Sequence, residues 1–299
     1  MRVDGGRFTV VAYPKDLTLA NAVLARAVAT DTFPGLPRPT ARVLIAIAPD
    51  QRRFRQWSGP DAPEWGAAIA IPDERRIVMQ GSSAGSGAGD PMQAARHELA
   101  HLALHEYLGD LPPRWFDEGY ASLAAGEWDR DAVLTTSVAL VFHGVPPLDS
   151  LDALFALGES RADAAYALSY RAVSDLRALD RERGLSLFFQ YWKETSSMDA
   201  AIRRAYGITQ AAFEQRWRDQ TMRRYGALAV MANMSLALGV LGIVIVPLYV
   251  MRRRRDRKRM DAMRAADEAA ERAAREDALA ALLAGDSEPP ERGDGDERS

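Results

Sequence analysis

Three of the four histidines in the chain, His97, His101 and His105, fall within nine residues, and the first two frame His97-Glu98-Leu99-Ala100-His101. On an α-helix, residues four apart lie one turn up on the same face. The imidazoles at 97 and 101 can therefore meet at one zinc ion, at nitrogen distances of about 2.0–2.1 Å. Glu98 flanks His101 on the same side, where a carboxylate can take a proton from a metal-activated water without being a ligand. The chemistry this spacing points to is metal-assisted hydrolysis. The chain has no cysteine, which excludes disulfides, thiolate zinc sites and cysteine nucleophiles together. Any metal must be held by imidazole and carboxylate.

A catalytic zinc keeps three protein ligands and one open position. Beyond His101, after Pro112-Pro113, the chain reads Trp115-Phe116-Asp117-Glu118-Gly119-Tyr120-Ala121. A carboxylate on the helix after a Pro-Pro turn can fold back onto the two histidines, and Glu118 is the expected third ligand. Trp115 and Phe116 read as packing residues at the helix start, and Asp117 as a first-turn carboxylate favoured by the helix dipole. His105 continues the histidine face for one more turn and reads as a polar residue near the helix exit. His143, in VFHGV, reads as a loop or strand-end histidine.

The elements that must position these residues follow from the patterning. RFTVVAY and ARVLIAIA are apolar, β-branched runs separated by an alanine-rich helical stretch over 17–29. GAAIAIP and RRIVMQ form a strand pair joined through Pro72, Asp73 and Glu74. The loop GSSAGSGAGD at 81–90 lacks both a GK[ST] ending and GxGxxG spacing, so it reads as a linker or lid and not a phosphate cradle. Pro91 suits the first turn of the helix that carries the histidines. Further helices are expected from Trp115, over 162–183 up to Gly184, and over 186–195, 198–206 and 209–223.

HELAH followed by WFDEGYA resembles the gluzincin metallopeptidases, and specifically peptidase MA-like domain proteins, which share HELxH and then W-[LF]-x-E-G-x-A. A later Y-A-x-S-Y match falls at Tyr166-Ala167-Leu168-Ser169-Tyr170, and the similarity runs on through AIRRAYGITQAAFEQRWRDQ, covering roughly residues 7–222. The resemblance implies an α+β, zincin-like fold: a mixed sheet with an edge strand along the cleft, the HExxH helix and a helical lobe. It implies one Zn2+ per chain and hydrolysis of peptide or protein substrates. GAAIAIP is the edge-strand candidate, where a peptide could add as an extra strand. By its place in the pattern Tyr166 is the expected oxyanion donor, with Tyr170, one turn later, as second choice. Thermolysin-like members place an Asp four residues after the ligand Glu to orient a histidine; here that position is Ser122, a weaker orienter.

Net charge is −3 and the pI near 5.9, which gives no global basic surface and argues against nucleic acid as a partner. From Tyr225 to Met251 no residue is charged, a run longer than the roughly 20 residues that cross a bilayer. RRRRDRKR follows, with seven positive charges in eight residues. The expected organisation is a peptidase domain over 1–224, a single transmembrane helix over 225–251, and a basic run with a charged, largely disordered tail over 252–299. The positive-inside bias places that tail in the cytoplasm and the catalytic domain outside it. MRVDGGRFTVVAYP shows no apolar run of secretory-leader length, so either an upstream signal, the favoured reading, or translocation driven by the anchor itself is expected. A zinc-binding interaction module at the membrane, without catalysis, is the competing reading; the Glu98 beside the histidines argues against it, because structural zinc needs no general base.

Overall fold

The computed structural model describes residues 1–59, 67–84, 89–127, 144–157 and 159–285. The chain divides into two compact units, Met1–Asn233 and Met234–Ser299. The first has the expected α+β character. Its strands β1 (Arg2–Gly5), β2 (Phe8–Val11), β3 (Val43–Ala48), β4 (Ala68–Ile71) and β5 (Arg76–Gln80) form one sheet in the order β1-β2-β3-β5-β4. The pairs β2–β3 and β3–β5 are parallel, whereas β1–β2 and β4–β5 are antiparallel. Parallel pairing of β2 with β3 requires a crossover, and α1 (Leu17–Ala29) supplies it, burying Ala20, Val23 and Ala27. Pro72–Glu74 form a single 3-10 turn, so β4 and β5 make the expected hairpin and β4 becomes the edge strand.

Three elements were not legible in the patterning. β1 is RVDG, too polar to announce itself as a strand. α2 (Gln51–Ser58) is QRRFRQWS and buries Phe54 alone; its start is fixed by Asp50, whose side chain accepts from the Arg53 amide. α5 (Leu148–Leu154) begins directly after Pro146-Pro147 and buries Leu148 and Leu151.

The site helices sit between these. α3 (Pro91–Leu108) starts at Asp90, whose carboxylate accepts from the Met92 amide, and stops at Gly109 with φ +67°. α4 (Arg114–Ala125) has no side-chain cap from Pro113; instead Asp152 of α5 accepts from the Trp115 amide at 2.7 Å. Trp115 and Phe116 are buried, as expected, and Phe116 meets Tyr120, Phe188, Phe189 and Trp192 in one aromatic cluster. α6 (Glu159–Ala178) ends earlier than the expected 183. There Asp180 accepts from the amides of Glu182 and Arg183 and turns the chain out of the helix. α7 (Ser186–Thr195) and α8 (Met198–Tyr206) match their expected bounds; α9 (Gln210–Thr221) gives way to a π-helical turn over Met222–Gly226.

The expected transmembrane helix is corrected. No helix among the described residues is long and apolar enough to cross a membrane. The uncharged run forms no element of its own. It opens α10 (Ala227–Gly285), a 59-residue helix that passes Pro247 and continues without a break through Arg252–Arg259 into charged, alanine-rich turns. The single-span membrane contact expected from the sequence is therefore not supported. His143, residues 85–88 of the glycine-rich loop and the tail from 286 lie outside the described residues.

Candidate metal centre

α3 and α4 bring His97, His101 and Glu118 together. One ligand atom from each lies within 4.8 Å of the others. Glu118 Oε2 stands 3.4 Å from His97 Nε2 and 3.7 Å from His101 Nε2. Tetrahedral zinc with bonds of 2.0–2.2 Å sets its ligand atoms about 3.4 Å apart, so the spacing and the N, N, O donor set fit that ion. The two rings are edge-on, with centroids 4.9 Å apart.

Each imidazole is steered by a carboxylate on its other nitrogen. His97 Nδ1 lies 3.0 Å from Glu127 Oε1, and His101 Nδ1 lies 2.6 Å from Asp117 Oδ1. These contacts turn both Nε2 atoms towards Glu118, the usual outer support of a metal-binding histidine. Asp117 Oδ2 also reaches His105 Nε2 at 3.1 Å, so His105 buttresses the support and is not part of the ligand cluster. Ser122 does not act as orienter: its buried Oγ has no hydrogen-bond partner among the described residues. Asp117 and Glu127 are the residues that the sequence reading missed. The available signal for Asp117 was its position beside Glu118, opposite two histidines one turn apart.

The electrostatics describe a pocket held together by protons in the absence of a metal. Burial opposes charge on His97, but Glu118 and Glu127 outweigh it and push its pKa up to about 9. Burial likewise opposes charge on His101, and Asp117 and Glu118 carry it well above the ordinary histidine value. Glu118 is pulled down to about 2 by the two imidazoles against the cost of burial, and Asp117 is lowered further by His101 and His105. Three converging donors that recruit positive charge are the setting a divalent cation would replace.

Glu98 lies next to this cluster and outside it. The Ala70 amide of β4 donates to its Oε2 at 2.6 Å, and burial raises its pKa against the pull of the nearby imidazoles. The β4–β5 ladder explains why that amide is available. Gln80 N donates to Ala67 O, and antiparallel pairing then turns the main-chain groups of Ala68 and Ala70 away from β5. The free edge of β4 therefore faces the side on which Glu98 sits.

Tyr166 on α6 is half-buried and packs edge-on against Phe155 at 4.9 Å. The Arg114 guanidinium covers the same Phe155 ring at 4.8 Å, and its Nε stands 3.8 Å from Glu118 Oε1. Tyr166 is thus two side chains from the Glu118 carboxylate. Tyr170 is 5% exposed, in the core.

A family model described as the peptidase MA superfamily matches residues 60–223. No curated protein matches the chain. The matched span is more than half of the 299 residues and takes in β4, β5, α3 and α4, together with Glu127, Tyr166 and Tyr170. The chain belongs to the peptidase MA superfamily.

Proposed function

We propose that this member of a peptidase superfamily hydrolyses peptide bonds with one zinc ion per chain, held by His97, His101 and Glu118. The observation behind the reading is the convergence of three N, N, O donors beside a half-buried carboxylate that is not one of them. When bound, zinc supplies the Lewis acid that polarises a scissile carbonyl and makes water a nucleophile near neutral pH.

The chain's own residues do the rest. Glu98 accepts the proton of the attacking water at its carboxylate and returns it to the departing amine. Its raised pKa suits both halves of that task. Asp117 and Glu127 hold the two imidazoles in the tautomer that leaves Nε2 free to ligate. The outward-facing groups of Ala68 and the Ala70 carbonyl offer an extended substrate a strand to pair with. Tyr166 is the proposed donor to the oxyanion, supported by its place in the Y-A-x-S-Y match and its half-buried position, whereas Tyr170 lies in the core.

A zinc kept for structure alone would have its fourth position closed by protein. Among the described residues the ligand cluster has three members, and the acid beside it bonds a sheet-edge amide instead of joining them. The test is zinc content and cleavage of an unbiased peptide library by the full chain, with and without chelator. One zinc per chain, with cleavage lost on chelation and restored by zinc, is expected. Chelator-resistant cleavage, or a zinc-loaded protein that cleaves nothing, would overturn the proposal.

A further inference from the structure

Beside the metal centre, on another side of α3, lies a cavity of about 610 Å³, within the roughly 300–1,000 Å³ typical of small-molecule sites. Its walls come from the last turn of α1, the chain after it, the end of α4 and the flank of α6. They carry three arginines, Arg26, Arg96 and Arg177, and among the described lining residues no Asp or Glu.

Arg96 is held in place without a counter-charge. Its Nε donates to Ala124 O at 3.1 Å, its two terminal nitrogens donate to Thr30 O and Thr32 O, and its guanidinium lies 4.2 Å over the Phe33 ring. Carbonyl dipoles take up three of its donors but leave its positive charge uncancelled. The nearby carboxylate of Asp31 is engaged by Arg7 at 2.9 Å and Arg38 at 3.5 Å. Arg26 and Arg177 are exposed and have no ion-pair partner among the described residues. Two exposed cations thus border a concave surface whose fixed member is also cationic. A concave low-dielectric wall of one sign focuses its field on ions of the other sign.

We propose that this cavity binds an oxyanion, a phosphate or carboxylate group, with Arg26 and Arg177 closing on it and the fixed charge of Arg96 behind. Guanidinium forks match the paired oxygens of either group. The site is separate from the zinc ligands but mechanically close to them. Its wall at Leu123–Gly126 runs directly into Glu127, and Arg96 precedes His97 in α3.

The test uses the full chain, stripped of metal so that a bound cation cannot attract the probe, at constant ionic strength. Thermal unfolding is followed against inorganic phosphate, and in a second arm against an N-acetylated dipeptide with a free or an amidated C-terminus. A ligand that binds only the folded state raises the midpoint progressively with its concentration. Phosphate, the free-carboxylate peptide or both should raise it in the wild type and in Arg52→Ala, a control on α2. In Arg26→Ala/Arg177→Ala, whose exposed side chains leave the fold intact, apparent affinity should fall about tenfold or more. The arm that responds identifies the source of the oxyanion. No shift with either probe, or a shift that the double variant retains, overturns the site.

Discussion

Gly119→Ala probes how the fold holds the third ligand in register. Gly119 follows Glu118 on α4 and faces α6, where an added Cβ would stand 2.4 Å from the Ser169 carbonyl oxygen, 2.6 Å from its carbon and 2.9 Å from Val173 Cγ2. Ordinary contact begins near 3.4 Å, so α4 and α6 must part by about 1 Å. The obstacle is main chain, which cannot rotate aside, so the upper end of the overpacking cost of about 1–3 kcal/mol applies. Alanine recovers about 1 kcal/mol over glycine in helix propensity, leaving a net loss of about 2 kcal/mol. For a unit of this size that is a fall of about 4–8 °C in the unfolding midpoint. The same displacement draws Glu118 away from His97 and His101, so zinc affinity should fall about tenfold or more. Urea unfolding and zinc titration against a competing chelator read both quantities. Wild-type stability with wild-type zinc affinity would refute the close approach of α4 to α6 and its role in placing Glu118.

Three further outcomes are expected. Asp117→Asn and Glu127→Gln should each weaken zinc binding by about 10–100-fold while leaving the ligand set intact; unchanged affinity in both would mean that the imidazoles are oriented by other groups. Zinc binding should strengthen as pH rises from 6 towards 9, because the proton on His97, with a pKa of about 9 in the metal-free protein, must leave first. The sign for folding is opposite: this raised pKa stabilises the metal-free fold below the unfolded value of about 6.5, and that share is lost as pH climbs through about 9. A pH-independent zinc affinity from chelator competition would contradict the proton-held pocket. Tyr166→Phe should lower turnover with little change in substrate binding; full turnover there, with a loss in Tyr170→Phe, would move the role by one turn.

The parts of the site that were legible in the sequence are those fixed by local geometry. His97 and His101 meet because helical residues four apart must, and Glu118 returns to them because Pro112-Pro113 breaks the chain between two helices. The β4–β5 hairpin and α1 were equally plain, since apolar alternation and an alanine-rich period say which face is buried. Glu127 was not legible, and Asp117 only through its place beside Glu118, because both roles depend on how the chain of α4 crosses α3. β1 and α2 lack apolar runs and exist through pairing and capping. The uncharged run at 225–251 was read as an element of its own, whereas the helix that contains it does not end where the run does but continues through Arg252–Arg259.

The central claim is that Glu98 handles the proton while three other residues hold the metal. It is tested most directly by measuring zinc content and peptide turnover in one preparation of Glu98→Gln. Glutamine keeps the shape of the side chain but cannot take up a proton. One zinc per chain should remain, and turnover should fall by about 10²–10⁴-fold. Near wild-type turnover from a fully zinc-loaded Glu98→Gln protein would contradict the account.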